Sequence, residues 1–516
     1  MLQQLPISFA EFTEIRKDNC VYVDKTQYVY QLAKQRGMYF LSRPRRFGKS
    51  MTLWVFKALF EGKRELFKDL WIDEHWDWSR KPNPVVHISF KNMLYHQLGL
   101  ENALAKELHS IAAEYGLALR ETISKGLLKE LLYELSKTNK VVVLIDEYDV
   151  PITHYLTDKF ELARENQELL KEFYTTLKEN DSTIEFVFIT GVSKFAKVGI
   201  FSGLNNIKDI SMSEQYSTMF GYTQEELETV FEPHLAAAGE KLNLNRADLL
   251  EKMRFWYNGY RFEIDAQTVY NPVSVNSFLD EKKFTNFWFE TGTPTFLVNH
   301  LKEHGVFLFH NEAVSSYSFN SFNIENLDTW GLLFQTGYLT IKGIEEDDDD
   351  AYYLGYPNYE VEKSMITCML EGFSGLSLGA GVPLSRRLEK AFINNDIDAA
   401  ISVLKTIFKN IPYQIYEQNK EAFFHAAVYL FFTYMGFRVH SEVSLSDGRC
   451  DTLLETKTHF FIMEFKLDKK PEVALKQIID KDYAQAYRNK GKEVVGIGIV
   501  FSSETRNISA WTSAVL

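Results

Sequence analysis

Tyr39-Phe40-Leu41-Ser42-Arg43-Pro44-Arg45-Arg46-Phe47-Gly48-Lys49-Ser50 is the stretch on which the fold turns. A short apolar strand, Tyr39 to Leu41, runs into a tight basic loop and then a helix through Leu53, Phe56 and Leu59. A strand, loop and helix start joined in this way bring successive backbone N–H groups and the positive end of a helix dipole onto one anion, so phosphate binding follows. Against the pattern GxxxxGK[ST], Gly48, Lys49 and Ser50 match, while Arg43 stands where the first glycine belongs. The motif is degenerate, and a basic helix start is the competing reading.

A second stretch decides between them. Val141-Val142-Val143-Leu144-Ile145-Asp146-Glu147 reads as a buried strand ending in two acids, which is what the partner element of a phosphate loop requires. Lys49 is then expected to reach the β- and γ-phosphates of ATP, Ser50 and Asp146 to hold Mg²⁺, and Glu147 to polarise the attacking water. A further strand, Phe186 to Thr190, leads to Gly191, Val192, Ser193 and Lys194. Ser193 is the candidate γ-phosphate sensor, against the plainer reading of a strand-to-loop turn.

The segment RPRRFGKS, together with LIDEYD, TGVSKF and SGLNN (Ser202 to Asn206), resembles the AAA-ATPase-like domain of bacterial ATPases that carry a C-terminal nuclease domain. The resemblance continues through WYNGYRF (Trp256 to Phe262), YNPVSV (Tyr270 to Val275) and WGLLFQTGYL (Trp330 to Leu339), covering most of the chain. It implies that Arg43 is usual at its position, and Arg45 and Arg46 become candidates for charge near the phosphates.

The fold class expected is α/β and multidomain. Residues 1–212 alternate short apolar runs (Tyr39 to Leu41, Val85 to Ser89, Val141 to Ile145, Phe186 to Thr190) with helical stretches, as a parallel sheet covered by helices does. Residues 213–302 read as a helical subdomain, with Thr223 and Glu226 forming a capping box. Residues 303–373 read as a small winged-helix-like unit with strands at Tyr338 to Lys342 and Tyr352 to Leu354. Residues 374–516 form the last unit, entered through a helical stretch from Arg386 to Phe408.

In that last unit Gly448-Arg449-Cys450-Asp451 precedes a strand from His459 to Leu467, and a period of two puts Glu464 and Lys466 on one face. Asp451 and Glu464 are expected to share Mg²⁺ or Mn²⁺, with Lys466 orienting water and stabilising phosphate charge. A surface hairpin with a Glu464 to Lys466 salt bridge is the plain alternative. The order of GRxD, ExK and a following helix, Pro471 to Asn489, resembles the PD-(D/E)xK nuclease superfamily and implies a restriction-endonuclease-like domain. Gln477 matches the glutamine of the related Q-x-x-x-Y pattern, whereas Lys481 occupies the tyrosine position and Tyr483 is displaced. Glu421 and Glu442 compete as a further acid.

Composition bounds the partners. The chain has 516 residues, enough for about three or four packed units, and a formal net charge of -13. Nucleic acid, DNA ahead of RNA, must therefore meet a local basic patch rather than the summed field. The run Glu345, Glu346 and Asp347 to Asp350 reads as a solvated loop. Cys20, Cys368 and Cys450 are far apart, which suggests neither disulfides nor zinc and fits a cytoplasmic setting. The longest apolar stretch, Ala422 to Phe437, falls short of the ~20 residues that span a bilayer, so no membrane partner is expected. Self-association stays open. The leading function is an ATPase controlling nucleic-acid cleavage. The alternatives are a regulatory ATPase whose nuclease-like domain only binds nucleic acid or a partner, and a scaffold that binds ATP without turnover.

Overall fold

Four apolar runs too short for packed helices form the first sheet: β1 (Gly37–Ser42), β2 (Val85–Ser89), β3 (Val141–Asp146) and β4 (Ile184–Gly191), with the short β5 (Lys208–Asp209) at one edge. The order is β2-β3-β4-β1-β5 and every pairing is parallel. Every residue of β3 is buried, as befits a strand covered on both faces. Leu41 pairs with Thr190, and Ile145 with Ile189. The loop after β1, the acids after β3 and the turn after β4 therefore leave the sheet at one edge, where open α/β sheets bind ligands.

The computed structural model describes residues 2–7, 11–156, 158–194, 204, 206–288, 301, 313–320, 328–345, 348–374, 378–409, 424, 427–428, 431–432, 438–445, 448–488 and 490–516. The chain divides into two compact units, Met1–Thr291 with Phe309–Glu362, and Gly292–Leu308 with Lys363–Leu516.

In the first unit the helix Gln224–Val230 opens on the expected capping box: Thr223 Oγ1 accepts from Glu226 N–H, and Glu226 Oε2 accepts from Thr223 N–H. Its Leu227 joins Phe231, Tyr257, Tyr270 and Phe278 in an apolar core of the helical region. A three-stranded antiparallel sheet, in the order β6 (Ala313–Ser315), β8 (Asp348–Gly355), β7 (Thr340–Glu345), has its first strand before the helix Thr329–Thr336 and the other two after it. Here the acidic run departs from the expected loop. Its last three aspartates open β8, and Asp350 is anchored there by hydrogen bonds from Ser315 Oγ and Ser316 Oγ.

The second unit holds a mixed sheet, β9 (Arg438–Leu445), β10 (Gly448–Glu455), β11 (His459–Leu467), β12 (Glu493–Ser502) and β13 (Asn507–Val515), in the order β13-β12-β11-β10-β9. Only β11 and β12 run parallel. The helical stretch expected from Arg386 to Phe408 is two helices, Leu378–Ile393 and Ile397–Lys409. Asn395 breaks it by adopting φ of 53°, and Asp396 Oδ1 caps Ala399 N–H of the second helix. The helix expected to reach Asn489 ends at Asp480, because Asp482 turns left-handed at φ 42°. Glu421 lies outside the described residues. Among the described residues no helix is long and apolar enough to cross a membrane.

Candidate functional site

At the sheet edge of the first unit, Gly48 caps the helix Lys49–Phe60 and the loop before it curls around one lysine. Lys49 is buried, and its Nζ donates to the carbonyls of Arg43 and Pro44 at 2.9 Å each. Burial draws its pKa down to about 8, against the pull of Asp146, Glu147 and Asp149. Ser50 Oγ donates to Asp146 Oδ2, while Thr190 Oγ1 donates to Asp146 Oδ1 at 2.8 Å. A hydroxyl and a carboxylate oxygen side by side at a helix N-terminus are the hard donor set that suits Mg²⁺ beside phosphate. The chemistry present fits ATP and Mg²⁺.

Arg43, at the position of the missing glycine, explains the degenerate motif. Its guanidinium is buried away from the loop's mouth, donating to the carbonyls of Ser42 and Ser211 and lying 4.1 Å from the Phe262 ring centroid. It ties the loop to the segment after β5. Of the other two loop arginines, Arg45 is exposed, and Arg46 donates through Nη1 to Phe287 O at 3.2 Å. Phe287 N–H and Trp288 N–H in turn donate to the buried Glu360 carboxylate. The WGLLFQTGYL segment braces the same loop. A Cβ at Gly337, which sits at φ 87°, would lie 2.6 Å from Pro44 Cβ, so only glycine allows that approach.

Glu147 follows Asp146 in the left-handed region at φ 51°, a sparsely populated conformation for a residue with a side chain. Burial first, and the Asp146 charge second, raise its proton affinity. Ser193 is buried with its Oγ donating to Asp149 Oδ2 at 2.6 Å, and its N–H reaches the same oxygen at 2.9 Å. Asp149, which no motif singled out, therefore fixes the turn after β4. Lys194 beside it is buried and lies 3.3 Å from Asp209 Oδ2. Asp149 follows the two expected acids closely in sequence, and its burial distinguishes it from a loop acid.

In the second unit, Thr452 pairs with Met463 across β10 and β11, which sets Asp451 opposite Glu464 on one sheet face. Asp451 Oδ2 accepts from Phe465 N–H at 2.8 Å, and Lys466 Nζ donates to Glu464 Oε1 at 2.9 Å. Glu464 is 1% exposed and its Oε2 is buried with no hydrogen-bond partner. An orphaned carboxylate oxygen facing a second acid fits a divalent cation, since a cation would satisfy both. Among the described residues no three His, Cys, Asp or Glu side chains gather as a metal site. On the other side Ser441 pairs with Thr452 and Val443 with Cys450, which puts Glu442 at the backbone position opposite Asp451.

The helix Pro471–Asp480 can lie on this face because Gly498, the register partner of Glu464, has no side chain. A Cβ there would stand 2.5 Å from Pro471 O. Gln477 on that helix is hydrogen bonded to Tyr483, and the charges of Glu464 and Asp451 both act on that phenol. Lys481, at the position of the pattern's tyrosine, is exposed. Tyr483, displaced from the pattern's spacing, is thus the tyrosine that meets Gln477. The helix stops three residues before it, at Asp480, and the turn at Asp482 carries the ring back to Gln477.

The Glu464 carboxyl is pushed up to about 7, by burial first and by Asp451 second, with Lys466 opposing. A raised folded-state pKa contributes stability that is complete below the ordinary value of about 4.3 and is lost as pH rises through about 7. Without divalent ions, thermal melts at pH 5 and pH 8 should therefore show Glu464→Gln gaining on the wild type at the higher pH. The gain is on the order of 3 kcal/mol at most. A stability difference that does not move with pH would remove the raised carboxyl.

Comparison with known proteins agrees with both units. Residues 6–201 match the AAA-ATPase-like family, described as "Predicted AAA-ATPase", and residues 419–511 match the PD-(D/E)XK nuclease superfamily. A relative from Azotobacter chroococcum mcd 1, named as an uncharacterized protein in the vnfD 5' region, is 36% identical over 520 residues, covering 98% of each chain. Two family matches in this order on the chain, and a relative 36% identical along 98% of it, mean that the chain belongs to the family of AAA-ATPase-like proteins with a C-terminal PD-(D/E)XK nuclease superfamily domain.

Proposed function

We propose that the chain hydrolyses ATP in its first unit and cleaves nucleic acid, DNA ahead of RNA, in its second, with nucleotide state governing cleavage in a cytoplasmic setting. The observation that carries this reading is the orphaned, buried Glu464 Oε2 facing Asp451 and flanked by Lys466. A surface salt bridge needs no second acid and leaves no carboxylate oxygen buried and unpaired. Bound at Ser50 with Asp146, and at Asp451 with Glu464, a divalent ion supplies charge neutralisation for phosphate oxygens and polarisation of water.

The chain's own groups do the rest. Lys49 and the N–H groups of the loop orient the ATP phosphates, Arg45 and Arg46 add positive charge, and Ser193, braced by Asp149, positions the γ-phosphate end. Glu147 accepts a proton from water, and its raised proton affinity brings it closer to that task at neutral pH. In the second unit Lys466 stabilises charge on the scissile phosphate, and Gln477 with Tyr483 holds the helix face against the acids. The domain extents that accompany this reading are 1–212, 213–302, 303–373 and 374–516.

The purified chain should nick or cut oligonucleotide substrates in Mg²⁺ or Mn²⁺ and respond to ATP. Single- and double-stranded DNA and RNA, each with and without ATP and metal, form the test. Absence of cleavage in every combination, with ATP turnover intact, would leave the regulatory alternative in place. Glu147→Gln is expected to bind ATP and turn it over at least about a hundred-fold more slowly, because the amide keeps the shape but cannot take a proton. Turnover at the wild-type rate would assign the base elsewhere.

A further inference from the structure

The WYNGYRF segment builds more than a brace for the phosphate loop. Where it passes the segment Tyr356 to Glu362, a surface cavity of about 360 Å³ opens, entirely within the first unit. Phe255 forms one wall and is 59% exposed, a large solvent share for a phenylalanine. Its ring lies stacked on Tyr359, with centroids 4.9 Å apart and planes 22° from parallel, and Trp256 meets Tyr359 edge-on at 4.8 Å. The result is a rigid, flat aromatic shelf held by rings behind it.

Polar groups around the shelf lean toward an anion. Arg254 lines the cavity, exposed, beside Phe255, and Lys342 Nζ reaches the carbonyl of Pro357 in the wall at 3.4 Å. Glu362 is the acid lining it, and burial raises the proton affinity of that carboxyl as it lowers that of the Lys342 ammonium, so the cationic side rests on two groups against one. In a chain of net charge -13 a local cationic balance is not the default. Asn358, also in the wall, is buried. Its Oδ1 accepts from Val361 N–H at 3.1 Å, while its Nδ2 has no hydrogen-bond partner. A buried donor left unmet costs free energy that an acceptor on a ligand recovers.

We propose that this cavity is a binding site for a nucleotide unit, with the base stacked on Phe255, its edge accepting from Asn358 Nδ2, and the phosphate beside Arg254 and Lys342. The ring is large enough to cover a base, and every base offers a π-face, so the shelf takes bases without sequence preference. The site lies outside the phosphate loop and outside the Asp451 and Glu464 face. It deepens the proposed function, since it gives the ATPase unit its own hold on a nucleic-acid strand, and it rests on that reading for the ligand's source.

The test is binding of fluorescein-labelled dT15 and rU15 to the full chain by anisotropy, with unlabelled thymidine monophosphate as competitor. EDTA in the buffer keeps the nuclease face silent. Phe255→Ala should weaken oligonucleotide binding roughly ten-fold, and Phe255→Trp should restore it, because stacking rather than bulk is what the ring supplies. Asn358→Asp keeps the oxygen that Val361 N–H needs but replaces the free donor with an acceptor, so it should weaken binding in a folded protein. Competition by the monophosphate at millimolar levels would assign the site to a free nucleotide, and competition by oligonucleotide alone would assign it to a strand. Both outcomes support the site. Wild-type affinity in Phe255→Ala and Asn358→Asp would overturn it while leaving the nuclease reading standing. A wild type that binds neither oligonucleotide nor monophosphate would overturn the site, while the nuclease reading stands or falls on the cleavage assay with metal.

Discussion

Asp451→Ala is expected to lose divalent-dependent cleavage to background, a fall of about a thousand-fold or more, while ATP turnover stays near the wild-type rate. Losing one of two facing acids removes a cation ligand, and the charge stabilisation at stake is several kcal/mol, with each 1.36 kcal/mol worth a factor of ten. Alanine also strands Phe465 N–H, which donates to Asp451 Oδ2 at 2.8 Å, so a misfolded sheet has to be separated from a lost ligand. Asp451→Asn does this. It offers an oxygen to the same N–H and keeps the shape, but not the charge. Cleavage by the folded Asp451→Asn protein at the wild-type rate would sink the metal reading. Lys466→Ala should fall comparably for a different reason, since it leaves Glu464, already buried, without the cation it pairs with at 2.9 Å. ATP turnover should survive both changes because the acids and the phosphate loop belong to different compact units.

The two sites were not equally legible. Four of the first sheet's five strands could be read to within two residues, because β3 is a continuous apolar run closed by Asp146 and β2 is apolar except at His87 and Ser89, whereas the two-residue β5 carries no apolar run. The phosphate loop was legible despite Arg43, since Gly48, Lys49 and Ser50 sit at a helix start. What Arg43 does instead was not legible. Its partners Ser211 and Phe262 lie far along the chain and carry no local periodicity.

Asp149 was hidden differently. An acid two residues beyond Glu147 looks solvated until Ser193 is seen donating to it. In the second unit the strand period of two put Glu464 and Lys466 on one face, and the register with β10 set Asp451 opposite. The choice between Lys481 and the displaced Tyr483 stayed open in the sequence because the helix ends before both, and a left-handed Asp482 is not readable from composition. The acidic run failed for the opposite reason: charge density argued for a loop, while Ser315 and Ser316 supply the hydrogen bonds that let Asp350 sit in a strand.

Lys49 should carry the second large effect. Lys49→Met, close in length and without charge, is expected to weaken ATP binding by roughly ten- to a hundred-fold, the usual worth of a charge-assisted hydrogen bond to phosphate. The structure adds a pH signature that a simple loss of fold would not produce. Burial draws the Lys49 ammonium down to about 8, so near that pH the group begins to shed its proton in the absence of nucleotide. Only the protonated form attracts phosphate, so wild-type affinity should fall as pH rises through about 8, and binding at pH 8 should take up protons from the buffer. In Lys49→Met there is no such group, and the affinity, though weaker, should lose that dependence between pH 7 and pH 9. Titration calorimetry in two buffers of different ionisation enthalpy reads both the affinity and the proton uptake. An unchanged affinity in the folded variant would remove Lys49 from the site. A weakened affinity with the wild-type pH profile would mean that the proton belongs to another group, of which Glu147, half-buried beside Asp146, is the nearest alternative.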